Sequence, residues 1–285
     1  MYLPSEDNAV WVRLLRPGFE YPTHGFKHHD ALYYPSEEVV FLVTKRKPPY
    51  GYNVFTEVAI WMPEEIRLLG TLALSIPEGG GRVTFAPWHS SVIPEIPIDS
   101  DLSSDNIIAS CLEFAIQLHA SSEDANRSPY ILREVNRSDP DVEYNLFENI
   151  DLEWGLLLRG LYTLLKSQLL IHANFMEEAF VNLQISREAA FQIIREHLEY
   201  TGNPNPSQRD VYNYIRLNFQ MGEPLVKDLE MQHDSWLETK HPLSPFGAGW
   251  ASSLMADDVF EPYDPLISIY RHIVLDEPGR SSMLP

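Results

Sequence analysis

Partway along this 285-residue chain the apolar period changes, and that change limits the folds open to it. Up to about residue 100 the apolar residues come in short β-branched or aromatic runs bounded by Pro or Gly, the pattern of strands with one buried face. From about residue 150 they recur every three to four residues between helix caps. Neither period can serve the other structure, so the chain is expected to be α+β. A strand-rich domain over residues 1–148 would precede an all-α helical bundle over 149–285.

In the first half the strand candidates are residues 9–15, 38–44, 54–62, 66–75 and 82–86, forming a mostly antiparallel sheet. Gly79-Gly80-Gly81 reads as a turn, and residues 87–100 read as an extended, proline-studded surface run. Ser103-Ser104-Asp105 opens a helix whose apolar face is Ile107, Ile108, Cys111, Leu112, Ala115 and Leu118. In the second half, helices are expected over 151–173, 174–183, 187–200 (capped by Ser186), 208–219, 223–239 and 265–275 (capped by Asp264). Ser207 with Asp210 is a capping-box pattern, Gly202 is a helix stop, and Pro265 suits a first helical turn. Arg159 interrupts an apolar helix and is expected to need an acidic partner.

The formal charge is −20, and acids outnumber bases in both halves. Such a field repels phosphate backbones, so nucleic acid is not an expected partner. The basic run Lys45-Arg46-Lys47 reads as a solvated strand end. The single cysteine, Cys111, falls on an apolar helix face and reads as an inert core thiol. With no signal-peptide pattern and no disulfide within the chain, a cytoplasmic location is expected. No stretch reads as a membrane span.

No Walker loop, Gly-x-Ser-x-Gly, Gly-x-Gly-x-x-Gly or His-Glu-x-x-His motif occurs, and no cofactor is expected. His24, His28, His29 and Asp30 have ligand chemistry, but adjacent histidines on an irregular segment do not converge well on one ion, so no metal site is expected. Glu230 and His233 have the Glu-x-x-His spacing of di-iron bundles without its second copy, and read as a solvated helix face. The richest candidate site is the polar loop before the last helix. It holds Trp236, Lys240, His241, Phe246, Trp250, Asp257 and Asp258, with His241 the candidate catalytic residue.

A long helix (156–170), a second core helix opening at Glu188-Ala189-Ala190-Phe191, a helix running into Trp236–His241, and a closing element from Asp257-Asp258 to residues 266–275 together resemble the HEPN superfamily. That family comprises small all-helical bundles found in defence systems, toxin–antitoxin pairs and RNA processing. Its ribonucleases carry an Arg, then four to six residues, then a His at one helix end, and the two face a twin pair across a dimer. In this chain His241 matches the histidine, while the arginine positions hold Asp234, Ser235 and Trp236. Lys240 lacks the planar fork of a guanidinium. The only literal Arg-x6-His, Arg82 to His89, lies in the strand-rich half and is a chance match.

The resemblance with its arginine missing implies a non-catalytic cytosolic interaction or regulatory protein. It would bind a protein partner or a second copy of itself, and would belong with a defence or toxin–antitoxin system. The alternatives are a metal-independent HEPN-type ribonuclease using His241, and a small-molecule binding module built on the aromatic loop.

Overall fold

The computed structural model describes residues 9–46, 61–76, 83–121, 128–136, 139–219, 222–224, 226–227, 230 and 263–275. The fold is α+β. The chain divides into two compact units, one of Met1–Leu72 and Gly80–Arg137, the other of Ala73–Gly79 and Ser138–Pro285. None of the described helices is long and apolar enough to cross a membrane.

The first unit contains β1 (Ala9–Leu15), β2 (Glu20–Pro22), β3 (Phe26–Lys27), β4 (Ala31–Tyr34), β5 (Phe41–Arg46), β6 (Pro87–Val92), β7 (Ile131–Arg133) and helix α2 (Asp105–Ala120). The helix α1 (Pro63–Leu74) begins in this unit. Five strands form an antiparallel sheet in the order β3-β4-β5-β1-β6, while β2 and β7 pair in parallel. Strand β1 is the expected 9–15 run to the residue, and β5 is the expected 38–44 run shifted toward its end. The expected run 54–62 falls outside the described residues except for Trp61 and Met62, as does the Gly79–Gly81 turn.

Three expectations are corrected here, one of them being that residues 83–86 of the expected 82–86 run are not a strand. Residues 66–75 are not a strand but most of α1. Ile66, Leu69 and Ala73 fall on one helical face, Pro63 occupies the first helical position, and Glu64 and Glu65 fill the first turn. Those start signals outweigh a run of apolar residues too short to settle its own period. The extended run after residue 86 is, over its first six residues, the edge strand β6, which pairs with β1.

Alternation along β1 sorts two chemistries onto two faces. Val10, Val12 and Leu14 enter a core with Leu32, Val39, Phe41, Val43, Ile93 and the buried stripe Ile108, Cys111 and Ala115 of α2. Burial pushes the Cys111 thiol up to about 12, so it is inert at neutral pH, as its place on the apolar face implied.

The opposite face holds charge. Trp11 lies across from Thr44, and Ala9 across from Arg46. Arg13 and Arg46 both reach Glu65, which is fully buried. Arg13 Nε donates to Glu65 Oε1 at 3.0 Å and its Nη2 to Oε2 at 3.3 Å. Arg46 Nη2 pairs with Oε1, and Arg46 Nε donates to Thr44 Oγ1 at 3.2 Å. The Met62 amide donates to Glu65 Oε2 at 2.9 Å, the backward half of a capping box at the start of α1. The Arg46 guanidinium lies 4.8 Å from the Trp11 ring centroid. Arg46 is therefore not a solvated strand end. A side chain on the covered face of a sheet must be buried whatever its charge, and this one is tolerated because its charge is matched.

The second unit is helical: α3 (Pro140–Asn149), α4 (Gly155–His172), α5 (Met176–Tyr200), α6 (Gln208–Asn218) and α7 (Tyr263–Leu275). Residues 222–224, 226–227 and 230 are also helical. Helices α4 and α5 form a long antiparallel pair. Asn174 turns the chain between them at φ 63°, a left-handed value Asn tolerates. The two helices expected over 174–183 and 187–200 are one. Ser186 is a buried mid-helix residue and not a cap, on a continuous stripe with Ala179, Leu183, Ala190 and Ile194. Gly202 at φ 106° ends α5, and Ser207 and Asp210 make both bonds of the capping box on α6.

Arg159 is exposed, contrary to expectation. The α4 core stripe is Leu157, Leu158, Leu161, Leu164 and Leu165, which leaves Arg159 on the outer side with Gly155, Tyr162 and Lys166. Among the described residues of this unit Arg187 is buried; its Nη2 is 3.7 Å from Glu188 Oε1 and its guanidinium lies 5.9 Å from the Phe191 ring centroid.

Glu65→Gln should destabilise the first unit by about 3–5 kcal/mol, because it strands two guanidinium groups against a neutral amide. Burial raises the Glu65 pKa, but Arg46, Arg13 and the Met62 amide outweigh it and hold the carboxyl below its usual range. The stabilisation is then present above the unfolded-state glutamate pKa and lost as pH falls through the lower folded value. Urea unfolding of wild type and variant at pH 7 and pH 3 should show a gap that narrows in acid.

Candidate functional site

Trp236, Lys240, His241, Phe246, Trp250, Asp257 and Asp258 all lie outside the described residues, as does His233. The described frame nearest to them in sequence is the closing helix α7 and the helices it packs on. Tyr270 on α7 is fully buried. Its hydroxyl donates to Ser186 O on α5 at 2.6 Å. Ser186 Oγ donates to Gly160 O on α4 at 3.0 Å and lies 3.3 Å from Tyr270 Oη. A Cβ on Gly160 would overlap the Tyr270 hydroxyl and stand 2.7 Å from Cζ. The glycine thus admits the phenol, and the phenol and serine spend their polar atoms on backbone carbonyls of two other helices. Burial raises the Tyr270 pKa far above its ordinary value. The group is a neutral hydrogen-bond donor and not a proton shuttle.

Further along α7, Phe219 stacks on His272 at 4.6 Å, and Tyr214 meets Phe219 and His197 at 5.9 and 5.2 Å. Asn149 Nδ2 on α3 donates to Val274 O at 3.0 Å. Arg216 of α6 pairs with Glu230 at 2.9 Å and Glu223 at 3.2 Å, so Glu230 is committed to an ion pair.

Apart from the Glu65 cluster, titratable groups among the described residues of the first unit gather at two further places. The first is the two-residue turn between β3 and β4. The His28 amide donates to Ala31 O at 2.9 Å and the Ala31 amide donates back at 3.3 Å, so His29 and Asp30 form a hairpin tip. The expected irregular segment is an ordered turn. The donor atoms of His28, His29 and Asp30 all lie within 4.8 Å of one another. His29 Nε2 is 3.1 Å from Asp30 Oδ2, and Lys45 Nζ is 2.9 Å from Asp30 Oδ1. The Asp30 amide donates to His28 Nδ1 at 3.1 Å. Burial works to raise the Asp30 pKa, but Lys45, His29 and His28 more than offset it, and the carboxyl is held below its usual range. His24, counted with this segment in the sequence, is not in the converging set.

The second place joins β6, α2 and the segment before β7. Trp88 packs on His89 at 4.4 Å and on His119 at 5.4 Å, and His119 meets Tyr130 at 5.8 Å. Burial lowers the His119 pKa, Glu38 works the other way and His89 lowers it further, so the ring is neutral at pH 7. Tyr130 is fixed by donation to Leu15 O at 2.8 Å.

The Arg13–Glu65–Arg46 cluster was not legible from the sequence, because its members are far apart in the chain. The one signal for Glu65 was its place three residues after a helix start. No protein-family model, curated protein or solved structure matches this chain.

Gly160→Ala is expected to destabilise the helical unit by about 1–3 kcal/mol through overpacking against Tyr270. The roughly 1 kcal/mol that Ala gains over Gly in helix propensity acts in the opposite direction and loses. Tyr270→Phe should cost about 1–2 kcal/mol. In the double variant the two losses should fall short of additive, since one group causes both. Chemical denaturation of the four proteins measures the cycle.

Proposed function

We propose that this chain is a non-catalytic interaction or regulatory protein of the cytosol. Its helical unit is an HEPN-like bundle that takes a protein partner or a second copy of the chain, in the setting of a defence or toxin–antitoxin system. The observation that carries this reading is how the bundle uses its interior polar groups. Tyr270, Ser186, Thr163, Ser167 and Asn182 all direct their side chains to backbone carbonyls of the bundle itself. Tyr270 and Ser186 tie neighbouring helices together in this way, while Thr163, Ser167 and Asn182 bond carbonyls of their own helix, so these five side chains serve the fold.

Two further observations support it. The positions separated from His241 by four to six residues hold Trp236, Ser235 and Asp234, so the phosphate-stabilising arginine of the family's ribonucleases is missing. The formal charge of −20 gives a polyanion no electrostatic attraction. The helical surface, by contrast, carries large apolar side chains outward: Phe175 at the α4–α5 turn is 54% exposed, Tyr200 67% and Leu217 84%. Exposed aromatic residues among acids suit a protein partner better than a nucleic acid.

Incubation of the purified protein with single-stranded RNA at low salt, with chelator, should leave the RNA intact for wild type and His241→Ala alike. Loss of one phosphate-stabilising donor alone lowers such a rate about a hundred- to a thousandfold. Robust cleavage by the wild type that His241→Ala lacks would replace this reading with the ribonuclease.

A further inference from the structure

We propose that the β3–β4 hairpin tip is a binding site for a divalent first-row transition metal of the zinc class, with His29 Nε2, Asp30 Oδ2 and His28 as its ligands. This goes beyond the interaction role and does not depend on it.

The donor set is the first argument. Two imidazoles and one carboxylate, with no thiolate, favour zinc, nickel or cobalt over calcium or magnesium, which take oxygen. Geometry is the second. A tetrahedral zinc with bonds of about 2.0–2.1 Å needs donors about 3.4 Å apart. His29 Nε2 and Asp30 Oδ2 are 3.1 Å apart, and all three donors lie within 4.8 Å. The donor separations therefore exceed the ideal spacing by no more than about 1.4 Å, which is 4.8 Å less about 3.4 Å.

Rigidity is the third. The tip is clamped by the paired His28–Ala31 amides, by the Lys45 amide donating to Asp30 O at 3.3 Å, and by the Leu102 amide donating to His29 O at 3.1 Å. Three neighbouring elements thus fix the backbone that carries the ligands, which lowers the ordering entropy a metal must overcome.

Access and charge complete the case. The His29 and Asp30 side chains are 57% and 41% exposed, so an ion reaches them from solvent. Asp101, whose Oδ1 accepts from the Ser103 amide and hydroxyl at 2.9 and 2.6 Å, sits close enough to feel His29 and Lys45, and adds negative charge beside the tip. Three protein ligands leave a fourth position for water. Two local interactions oppose the ion. Ligation by His28 requires either the Nδ1 that now accepts the Asp30 amide or a tautomer change that frees Nε2. Loss of that one hydrogen bond is small beside the formation of a metal–nitrogen bond. Lys45 competes for Asp30 from the other carboxylate oxygen, Oδ1, and so sets the affinity without blocking Oδ2.

The competition by Lys45 makes the proposal testable against the diffuse cation binding that any acidic protein shows. The full chain is titrated with Zn2+ by calorimetry and with Co2+ by visible absorption, which reports tetrahedral nitrogen and oxygen ligation. One saturable equivalent is expected. His29→Ala and Asp30→Ala should each weaken it at least tenfold, and Lys45→Met should tighten it severalfold. His172→Ala, an exposed histidine at the end of α4, should leave it unchanged. If Asp30→Ala does not fold, as thermal unfolding would reveal, His29→Ala decides alone, its side chain being largely in solvent. The proposal is overturned by an unsaturable titration, by variants at the tip that bind as wild type does, or by a Lys45→Met protein with no gain in affinity.

Discussion

The first unit depends on one buried carboxylate. Glu65 is where a helix start, a central strand and its neighbour meet, and each supplies a donor: the Met62 amide, Arg13 of β1 and Arg46 of β5. An isolated carboxylate at that depth would cost several kcal/mol, and so would either guanidinium. Together they form a set that is satisfied in only one arrangement, because a one-residue slip of β1 against β5 would turn Arg13 or Arg46 to the apolar face. Hydrophobic burial on the α2 side supplies the driving force, and it is indifferent to detail. The ion cluster on the other side fixes the register.

The helical unit solves the same problem with neutral groups. Its long α4–α5 pair would pack in several registers on apolar stripes alone. The missing side chain at Gly160 leaves a notch that accepts the Tyr270 hydroxyl, and Ser186 bridges the two. The notch, the hydroxyl and the carbonyl coincide in one register. Neutral hydrogen bonds suit this location because a buried tyrosine hydroxyl is cheaper to desolvate than an ion.

These two devices use up polar groups, and that bears on function. Residues engaged in holding a fold are not free for chemistry. Among the described residues, the groups that stay accessible include His29 and Asp30 at the hairpin tip and the aromatic side chains of Phe175 and Tyr200 at helix ends. The proposed metal site and the proposed protein partner rest on these.

Local residues were enough to determine much of this chain. The α+β class, β1, the α2 core stripe, the capping box on α6 and the glycine stop of α5 could all be read from a few adjacent positions, because caps, alternation and turn conformations are decided within one turn or one strand. The inert character of Cys111 was legible for the same reason. What the tertiary structure alone decided were matters of facing. Residues 66–75 have an apolar run that suits either period, and the choice of helix fell to the Pro63 start and the carboxylate it places under the sheet. Ser186 has the chemistry of a cap and became a bridge, because a helix ends only where its buried stripe ends. Arg159 and Arg46 exchanged their expected roles, since burial depends on which face a neighbouring element covers, and a sequence does not state its neighbours. The convergence of His28, His29 and Asp30 was hidden likewise: three adjacent side chains point together only on a tight turn, and the pairing of β3 with β4 is what makes the turn.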